Sequence, residues 1–195
     1  MLLAAVLWLP QFAHAAKNIL VFGDSLSAGY GIAVAESWPV LLQQELQHTR
    51  SSYRIVNVSI SGETTSGGRQ RIVKALQQHH PAIVILELGA NDGLRGFRIA
   101  DIEANLDAMI SEANHVGAKV LLVGMKLPPN YGESYISQFQ NIYSRLAEKH
   151  HIRLMPFLLE GVAAAQFQAD NLHPTKEAQP LLMRNVLKEL KPLLR

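Results

Sequence analysis

Two stretches of the 195-residue chain are apolar at every position over the length of a strand: residues 83–86 (Ile-Val-Ile-Leu) and residues 120–123 (Val-Leu-Leu-Val). A strand with one solvated face alternates apolar and polar residues, whereas a strand covered on both faces does not. Both stretches are therefore predicted to be central strands of a parallel sheet that has helices on its two faces. A parallel sheet that is covered by helices on both faces indicates an α/β fold.

The mature chain as a whole alternates between strand-like and helix-like segments. Runs rich in Val, Ile and Leu predict five strands, at residues 18–22, 54–58, 82–88, 119–125 and 152–156. Amphipathic patterns predict helices at residues 36–48, 66–78, 101–115, 134–150 and 175–194. Right-handed crossovers then give a three-layer α/β/α sandwich with a five-stranded parallel sheet, in a flavodoxin-like arrangement. In such a sheet, ligands bind outside the carboxyl ends of the strands.

Composition excludes several functional classes. With 48% hydrophobic and 17% charged residues, the chain is predicted to form one globular domain. The absence of Cys excludes disulfides, thiolate metal sites and a Cys nucleophile. The formal net charge is +2, and the charged residues are scattered except in the C-terminal stretch from Arg184 to Arg195, so no nucleic-acid partner is expected. The paired histidines at 79–80 and 150–151 lack acidic residues at metal-ligand spacing, and no metal site is expected there.

The first residues are predicted to be a secretory signal peptide. Residues 1–15 hold an apolar run and end in Ala13-His14-Ala15, which is typical of a cleavage site, so cleavage is expected after Ala15. The segment is untypical in having no Lys or Arg near its start. Pro10 and Gln11 interrupt the run well short of the roughly 20 residues that a membrane span needs, and a retained anchor is the minor alternative. Residues 16–195 are left as a periplasmic or secreted domain.

The loop after the first predicted strand reads Gly23-Asp-Ser-Leu-Ser27 and exposes a hydroxyl at the edge of the sheet where ligands bind. Asp24 and Ser25 are also residue types that cap helices, and capping explains them equally well when they are taken alone. The G-x-S-x-G nucleophile motif does not occur in this loop, which disfavours the common α/β-hydrolase arrangement.

The loop before the last predicted helix contains Asp170 and His173. At this spacing the carboxylate can orient the imidazole so that its far nitrogen faces a hydroxyl. Of the eight histidines, only His173 follows an aspartate at this spacing. An Asx-type turn before Pro174 would explain the Asp and the Pro but not the His, which favours an acid–base role.

Two further loops offer hydrogen-bond donors of the kind that stabilise an oxyanion. Gly62 follows the second predicted strand, where a glycine lets a backbone N–H approach a ligand closely. Asn91 follows the third predicted strand. Each of these two loops alone is more typical of an ordinary turn. Together with the loop that contains Ser25 and the loop that contains Asp170 and His173, however, they place four polar loops at one edge of the sheet, which favours a serine hydrolase.

The order and spacing of these four blocks resemble those of the SGNH, or GDSL, hydrolases over essentially all of the mature chain. The matching blocks are Gly23-Asp-Ser-Leu26, Gly62, Gly89-Ala-Asn-Asp92 and Asp170-Asn-Leu-His173. The longer stretches Gly23-Asp-Ser-Leu-Ser-Ala-Gly-Tyr30, Ser61-Gly-Glu-Thr-Thr65 and Leu127-Pro-Pro-Asn-Tyr-Gly132 look like one branch of the family. That branch holds bacterial periplasmic acyl-CoA thioesterases that are also described as lysophospholipases and arylesterases.

The resemblance implies a role for each block. Ser25 would be the nucleophile, His173 the general base and then acid, and Asp170 the residue that orients it. The backbone N–H groups of Ser25 and Gly62 and the side chain of Asn91 would form the oxyanion hole. The implied reaction is hydrolysis of an ester or thioester through an acyl-enzyme, with no metal or cofactor.

Substrate contacts are expected in the loops after the third and fourth predicted strands, which combine apolar and small residues. The residues expected to contact the acyl substrate are Asp24, Leu94, Phe97, Leu127, Pro128 and Tyr131. Ordinary packing of the apolar residues on the core is an equally good explanation for any one of them.

Two other functions remain open at this point. A carbohydrate acetylesterase would carry the same four blocks around a polar, sugar-shaped pocket. A flavodoxin-like binding module would hold a phosphate or a flavin on the first loop, but it would leave the pair of Asp170 and His173 unexplained. The expected partner is a small acyl ester or thioester, and a monomer without a stable membrane anchor is expected.

Overall fold

The computed structural model describes residues 16–195, so the predicted signal peptide lies outside the described residues. Five strands form one parallel sheet in the order β2-β1-β3-β4-β5. They are β1 (Lys17–Gly23), β2 (Tyr53–Asn57), β3 (Pro81–Glu87), β4 (Lys119–Val123) and β5 (Arg153–Met155). The predicted α/β fold with a five-stranded parallel sheet is confirmed.

The register of the sheet buries its three inner strands. Leu20 of β1 lies between Val56 of β2 and Val84 of β3, and Val84 in turn pairs with Val120 of β4. The apolar residues of β1, β3 and β4 from Ile19 onward are almost all inaccessible to solvent. The two non-alternating stretches therefore occupy the covered positions that their sequences predict.

Within residues 16–195, seven α-helices surround the sheet. They are α1 (Ser25–Ala28), α2 (Trp38–His48), α3 (Thr65–His79), α4 (Ala90–Leu94), α5 (Ile99–His115), α6 (Glu133–His150) and α7 (Gln179–Leu190). Helices α3, α5 and α6 pack beside one another, and α2 packs against α7. These two groups are the outer layers of the three-layer sandwich.

Helix α6 illustrates why these segments are helical. Its buried residues Phe139, Ile142, Tyr143 and Leu146 follow the spacing of one helical face. Burying each of these apolar side chains contributes about 1.5–3 kcal/mol, so the packed face stabilises the helix more than local propensity does.

The last helix is shorter than the pattern predicts. Helix α7 begins at Gln179 instead of residue 175 and is flanked by 3-10 turns at Lys176–Ala178 and Lys191–Leu193. Pro180 has no N–H to donate, so it fits only the first turn of a helix. A continuous helix from residue 175 would have placed Pro180 in its interior.

Strand order reverses between β1 and β3, because the chain passes from β1 to the edge strand β2 and then returns to the other side of β1. Such a reversal opens a crevice at the carboxyl ends of the two strands. The short helices α1 and α4 begin at this point, and neither is long enough to give a periodic pattern in the sequence. The loops that contain Ser25 and Asn91 are thus neighbours in the fold.

Candidate active site

Ser25 is the first residue of α1, immediately after β1. The Asp24 carboxylate caps this helix by accepting a hydrogen bond from the backbone N–H of Leu26 at 3.0 Å. Helix α1 lasts a single turn because Gly29 takes a left-handed conformation at its end (φ +78°). Asp24 therefore performs the capping role that the sequence allowed, and this leaves the Ser25 hydroxyl free to face the crevice.

The Ser25 hydroxyl, His173 and Asp170 form an unbroken chain of hydrogen bonds. Ser25 Oγ lies 2.8 Å from His173 Nε2, and His173 Nδ1 lies 2.6 Å from Asp170 Oδ2. The chain joins residues 148 positions apart in the sequence. In this arrangement the imidazole can accept the hydroxyl proton through Nε2 while Nδ1–H donates to the carboxylate.

Asp170 is held as a carboxylate by its own loop. Its Oδ1 accepts hydrogen bonds from the backbone N–H groups of Leu172 and His173, at 2.9 and 3.0 Å. These bonds, the backbone N–H of His173 foremost, lower the pKa of Asp170 to about 2. The side chain is therefore ionised and oriented before any substrate binds.

The possible oxyanion donors lie on the loops after β2 and β3. Neither the backbone N–H of Ser25 nor that of Gly62 donates a hydrogen bond to another group of residues 16–195. Asn91 Nδ2 donates to Asp24 Oδ2 at 3.1 Å and to the backbone carbonyl of Glu63 at 3.0 Å. A ligand oxygen beside Asn91 would have to share one of these two amide hydrogens.

A buried carboxylate connects the two loops that carry Gly62 and Asn91. Asp92, next to Asn91 in α4, accepts hydrogen bonds from Thr65 Oγ1 at 2.6 Å and from Thr65 N at 2.9 Å. Asn105 Nδ2 of α5 donates to the same Thr65 hydroxyl at 3.2 Å. Burial raises the pKa of Asp92 despite these bonds. The network ties the start of α3 to α4.

No pattern in the sequence indicated that Glu87 belongs to this site. Glu87 ends β3 and is fully buried, and its Oε2 accepts hydrogen bonds from Ser27 Oγ at 2.6 Å and from the Asp24 backbone at 3.2 Å. Burial, together with the nearby charge of Asp24, raises the pKa of Glu87 well above its usual value. Burial likewise raises the pKa of Asp24 to about 6. Burial therefore favours the protonated form of Glu87 where it contacts the Ser25 turn.

Gly23 is required by the position of Glu87. A Cβ atom on Gly23 would collide with the Glu87 carboxyl and would approach Ser27 Oγ to 2.9 Å. The first residue of the Gly23-Asp-Ser-Leu26 block is thus fixed by a carboxyl group that lies 64 positions away in the sequence.

An apolar cavity of about 360 Å³ opens beside Ser25. Of the residues predicted to contact substrate, Asp24, Leu94, Leu127 and Pro128 line this cavity. The other lining residues come after β4 or β5, lie in the loop that contains Asp170 and His173, or are next to Ser25 and Asn91 in the sequence. They are Leu26, Ala90, Met125, Lys126, Phe157, Leu159, Phe167, Asn171 and Leu172, together with Ser25, Asn91 and His173.

The remaining two predicted contacts, Phe97 and Tyr131, lie outside the cavity. The Tyr131 hydroxyl donates to the backbone carbonyl of Leu94 at 2.9 Å, so it contacts a lining residue without lining the cavity itself. Phe97 is partly exposed and faces a separate open depression beside Arg69 and Asp101. The backbone turn at Gly96, with φ +68°, precedes Phe97.

Several lining residues that the sequence analysis missed follow the carboxyl ends of β4 and β5. Met125 comes two residues after β4, and Phe157 and Leu159 come just after β5. Their position after parallel strands was a usable signal, because ligands bind at that edge of the sheet. Phe167 and Leu172 lie in irregular segments and carried no comparable signal.

The described part of the chain shows neither a metal-ligand cluster nor a membrane-spanning helix. Within residues 16–195, no group of three or more His, Cys, Asp or Glu residues is arranged to hold a metal ion. His150 pairs with Asp107 of α5, its Nε2 lying 2.6 Å from Asp107 Oδ1. None of the helices in residues 16–195 combines the length and the apolar character needed to cross a membrane.

The model of the GDSL-like lipase/acylhydrolase family matches residues 21–180. The chain belongs to this family. This GDSL hydrolase is 47% identical over 194 residues to the esterase TesA of Pseudomonas aeruginosa, which covers 98% of this chain and 96% of that protein. It is 40% identical over 183 residues to the thioesterase 1/protease 1/lysophospholipase L1 of Escherichia coli K12, covering 93% of this chain and 86% of that protein.

The crystal structure of TesA superimposes on this GDSL hydrolase with a TM-score of 0.89 and 46% sequence identity, covering 91% of this chain and 99% of that one. The family resemblance predicted from the four sequence blocks is confirmed. The protein is accordingly a hydrolase, and the alternative of a flavodoxin-like binding module is set aside.

Proposed function

We propose that this GDSL hydrolase cleaves carboxylic ester and thioester bonds of acyl substrates through an acyl-enzyme on Ser25. His173 is the general base and Asp170 orients it. The observation that carries the proposal is the hydrogen-bond chain from Ser25 Oγ through His173 to Asp170 at the mouth of an apolar cavity. The names of the relatives, which include an esterase and a thioesterase, support the same chemistry.

In the first half of the reaction, Ser25 Oγ attacks the carbonyl carbon while its proton passes to His173 Nε2. The carbonyl oxygen becomes an oxyanion that accepts hydrogen bonds from the N–H groups of Ser25 and Gly62 and from Asn91 Nδ2. The tetrahedral intermediate then collapses. His173 gives the proton to the departing alcohol or thiol, and the acyl group stays on Ser25.

In the second half, water enters the place that the leaving group has vacated. His173 takes a proton from this water, whose oxygen attacks the acyl carbonyl. Collapse of the second tetrahedral intermediate returns the proton to Ser25 Oγ and releases the carboxylic acid. The Asp170 carboxylate stabilises the imidazolium in both halves without taking its proton.

The cavity favours an acyl chain as the part of the substrate that is bound. Its lining is dominated by aliphatic and aromatic side chains, among them Leu94, Met125, Phe157 and Leu159. Burying apolar chain against such a surface contributes about 0.8 kcal/mol per methylene. A sugar would need polar partners in the same place, so this lining favours acyl hydrolysis over carbohydrate deacetylation.

Export and a monomeric state belong to the same proposal. The apolar run of residues 1–15 and its Ala13-His14-Ala15 ending support removal of a signal peptide and release of residues 16–195 as the hydrolase domain. N-terminal sequencing of the protein recovered from a bacterial periplasmic fraction is expected to begin at Ala16. Recovery of the unprocessed chain would contradict export. The proposed monomer is tested separately by light scattering, and a mass larger than that of one chain would contradict it.

The central test compares the unmodified protein with Ser25→Ala on nitrophenyl esters of two to sixteen carbons and on the matching acyl-CoA thioesters. We expect turnover that extends to long chains, includes thioesters and is lost in Ser25→Ala. Ser111→Ala, which removes an exposed serine hydroxyl on α5, is the matched control and should retain full activity. Turnover that survives in Ser25→Ala would refute the nucleophile, and activity confined to acetyl esters would indicate a carbohydrate esterase.

A further inference from the structure

The residues around Asp170 and His173 have little regular structure to hold them. We define the His173 loop as residues 167–175 and the Ser25 loop as residues 24–32. The His173 loop contains one isolated antiparallel bridge, between Phe167 and Pro174, and lies between two 3-10 turns. Its backbone is closed internally by the N–H of Gln168, which donates to the carbonyl of His173 at 2.8 Å. These contacts fix the shape of the loop but not its position against Ser25.

Two hydrogen bonds join the two loops within residues 16–195. One is the contact between His173 and Ser25, which must break and re-form during the reaction. The other runs from Gln168 Nε2 to the backbone carbonyl of Tyr30, at 2.9 Å. The bond made by Gln168 involves no atom that the proposed proton transfer uses.

The Gln168 amide reaches both loops at once. The same Nε2 atom donates to the carbonyl of Pro174 at 3.2 Å, so its two hydrogens are directed at one carbonyl on each side. Both partners are acceptors only, which requires the amide nitrogen and not its oxygen to face them. The side chain thus connects the Ser25 loop to the residue directly after His173.

The backbone of the Ser25 loop leaves room for this connection. Gly31 has φ +74°, and a Cβ atom there would collide with the Gln168 amide. The preceding residue, Tyr30, packs its ring against the imidazole of His173 with a centroid separation of 4.5 Å. Gln168 holds the backbone of the residue whose ring contacts His173, so its effect reaches the imidazole by two routes.

We propose that Gln168 is a positioning residue for the reaction, one that holds His173 Nε2 at hydrogen-bond distance from Ser25 Oγ by joining the two loops. This inference rests on the proposed roles of Ser25 and His173. Gln168 itself touches no reacting atom. Its loss lets the His173 loop shift against the Ser25 loop, and a displacement of about 1 Å at such a site costs on the order of 100-fold in rate.

The test measures kcat and KM for Gln168→Leu and Gln168→Glu. Leu removes both donors at similar volume, and Glu keeps the length of the side chain but presents acceptors to two carbonyls. The matched control is Gln166→Leu, because Gln166 is a half-buried amide on the same segment that bonds to Ala163 and Glu177 instead of the Ser25 loop. Rates are expressed per active site, counted from the end point of phosphonate titration.

We expect kcat per titrated site to fall about 10- to 100-fold in both Gln168 variants, with KM changed by less than about threefold. Gln166→Leu should match the unmodified protein. The inference is overturned if both Gln168 variants keep kcat per site within about twofold of the control, or if their activity falls only in proportion to the titrated sites. Activity that persists in Ser25→Ala would instead refute the proposed role of Ser25, and with it the role proposed for Gln168.

Discussion

The side-chain amide of Asn91 has both a structural role and a proposed catalytic role at this site. Its two hydrogens are directed at Asp24 Oδ2 and at the carbonyl of Glu63, and the proposed mechanism asks the same nitrogen to bind the oxyanion. The Asp24 carboxylate fixes which end of the amide faces the crevice, because it accepts only from the nitrogen end. Asp24 thus caps α1 and orients a proposed catalytic donor at the same time.

Asn91→Ala is expected to lower kcat by about 10²–10³-fold, because one of the proposed oxyanion donors is lost and two others remain. KM should change little, since the donor acts mainly on the charge that develops in the transition state. Steady-state kinetics on a nitrophenyl ester would measure both quantities. Asn141→Ala, an exposed amide on α6, is the control. A kcat within about threefold of the unmodified protein would remove Asn91 from the mechanism.

At the scale of elements, the site depends on how α3 and α4 are joined. Helix α4 begins shortly after β3, whereas the loop that carries Gly62 separates α3 from β2. The distance between the first turns of the two helices therefore affects the distance between Gly62 and Asn91. The contact of Asp92 with Thr65 fixes this distance through three hydrogen bonds that share one buried carboxylate. The sequence block Gly89-Ala-Asn-Asp92 therefore combines a proposed catalytic residue with the residue that anchors its helix.

Thr65→Val is expected to destabilise the protein by about 1.5–3 kcal/mol, because a buried carboxylate loses a charge-assisted hydrogen bond while side-chain volume is nearly unchanged. Urea unfolding followed by circular dichroism would measure this loss. The matched control is Thr49→Val, which removes an exposed hydroxyl that bonds to the carbonyl of Glu45 at the end of α2. That control should cost less than about 1 kcal/mol. Equal losses in the two variants would contradict a special role for Asp92.

At the scale of the whole molecule, the fold buries one titratable side chain, Glu87, completely inside the sheet layer. Glu87 lies at the carboxyl end of β3, between β1 and β4, where both faces of the sheet are covered. Its Oε1 has no hydrogen-bond partner among the described residues. A charged carboxyl in that position would be costly, and this raises the pKa of Glu87 and favours its protonated form.

This retained proton predicts how stability depends on pH. Because the pKa of Glu87 is raised in the folded state, the unfolded chain releases the proton near pH 4.5 while the folded chain keeps it. The folded state then binds more protons than the unfolded one, so the free energy of unfolding falls as pH rises above 4.5, by up to about 1.4 kcal/mol per pH unit. Asp24 adds a further fall between pH 3.8 and about 6.

Glu87→Gln should reduce this fall, because the amide has no proton to lose and can still accept from Ser27 Oγ and the Asp24 backbone. Urea unfolding of both proteins at several pH values between 5 and 8 is the measurement, and a flatter profile for the variant is expected. Glu112→Gln, at an exposed position on α5, controls for the change of net charge. Parallel profiles for the unmodified protein and Glu87→Gln would show that Glu87 ionises normally in the folded state.

The sequence by itself determined the features that depend on local pattern. The apolar runs located the buried strands, and the order of strands and helices gave the three-layer fold. It also placed Ser25, Gly62 and Asn91 at one edge of the sheet, because each follows a parallel strand. The hydrogen bond between Asp170 and His173 was predictable as well, since the two residues are only three positions apart.

Only the tertiary structure decided which distant groups share the site. Ser25 meets His173 across 148 positions, Glu87 reaches behind the Ser25 turn, and Gln168 bonds to Tyr30 across 138 positions. It also placed Phe97 and Tyr131 outside the cavity while bringing Phe157 and Phe167 into it. The physical reason is that periodicity and turn chemistry are properties of neighbouring residues. What fills the space beyond a strand depends on how several loops pack together there.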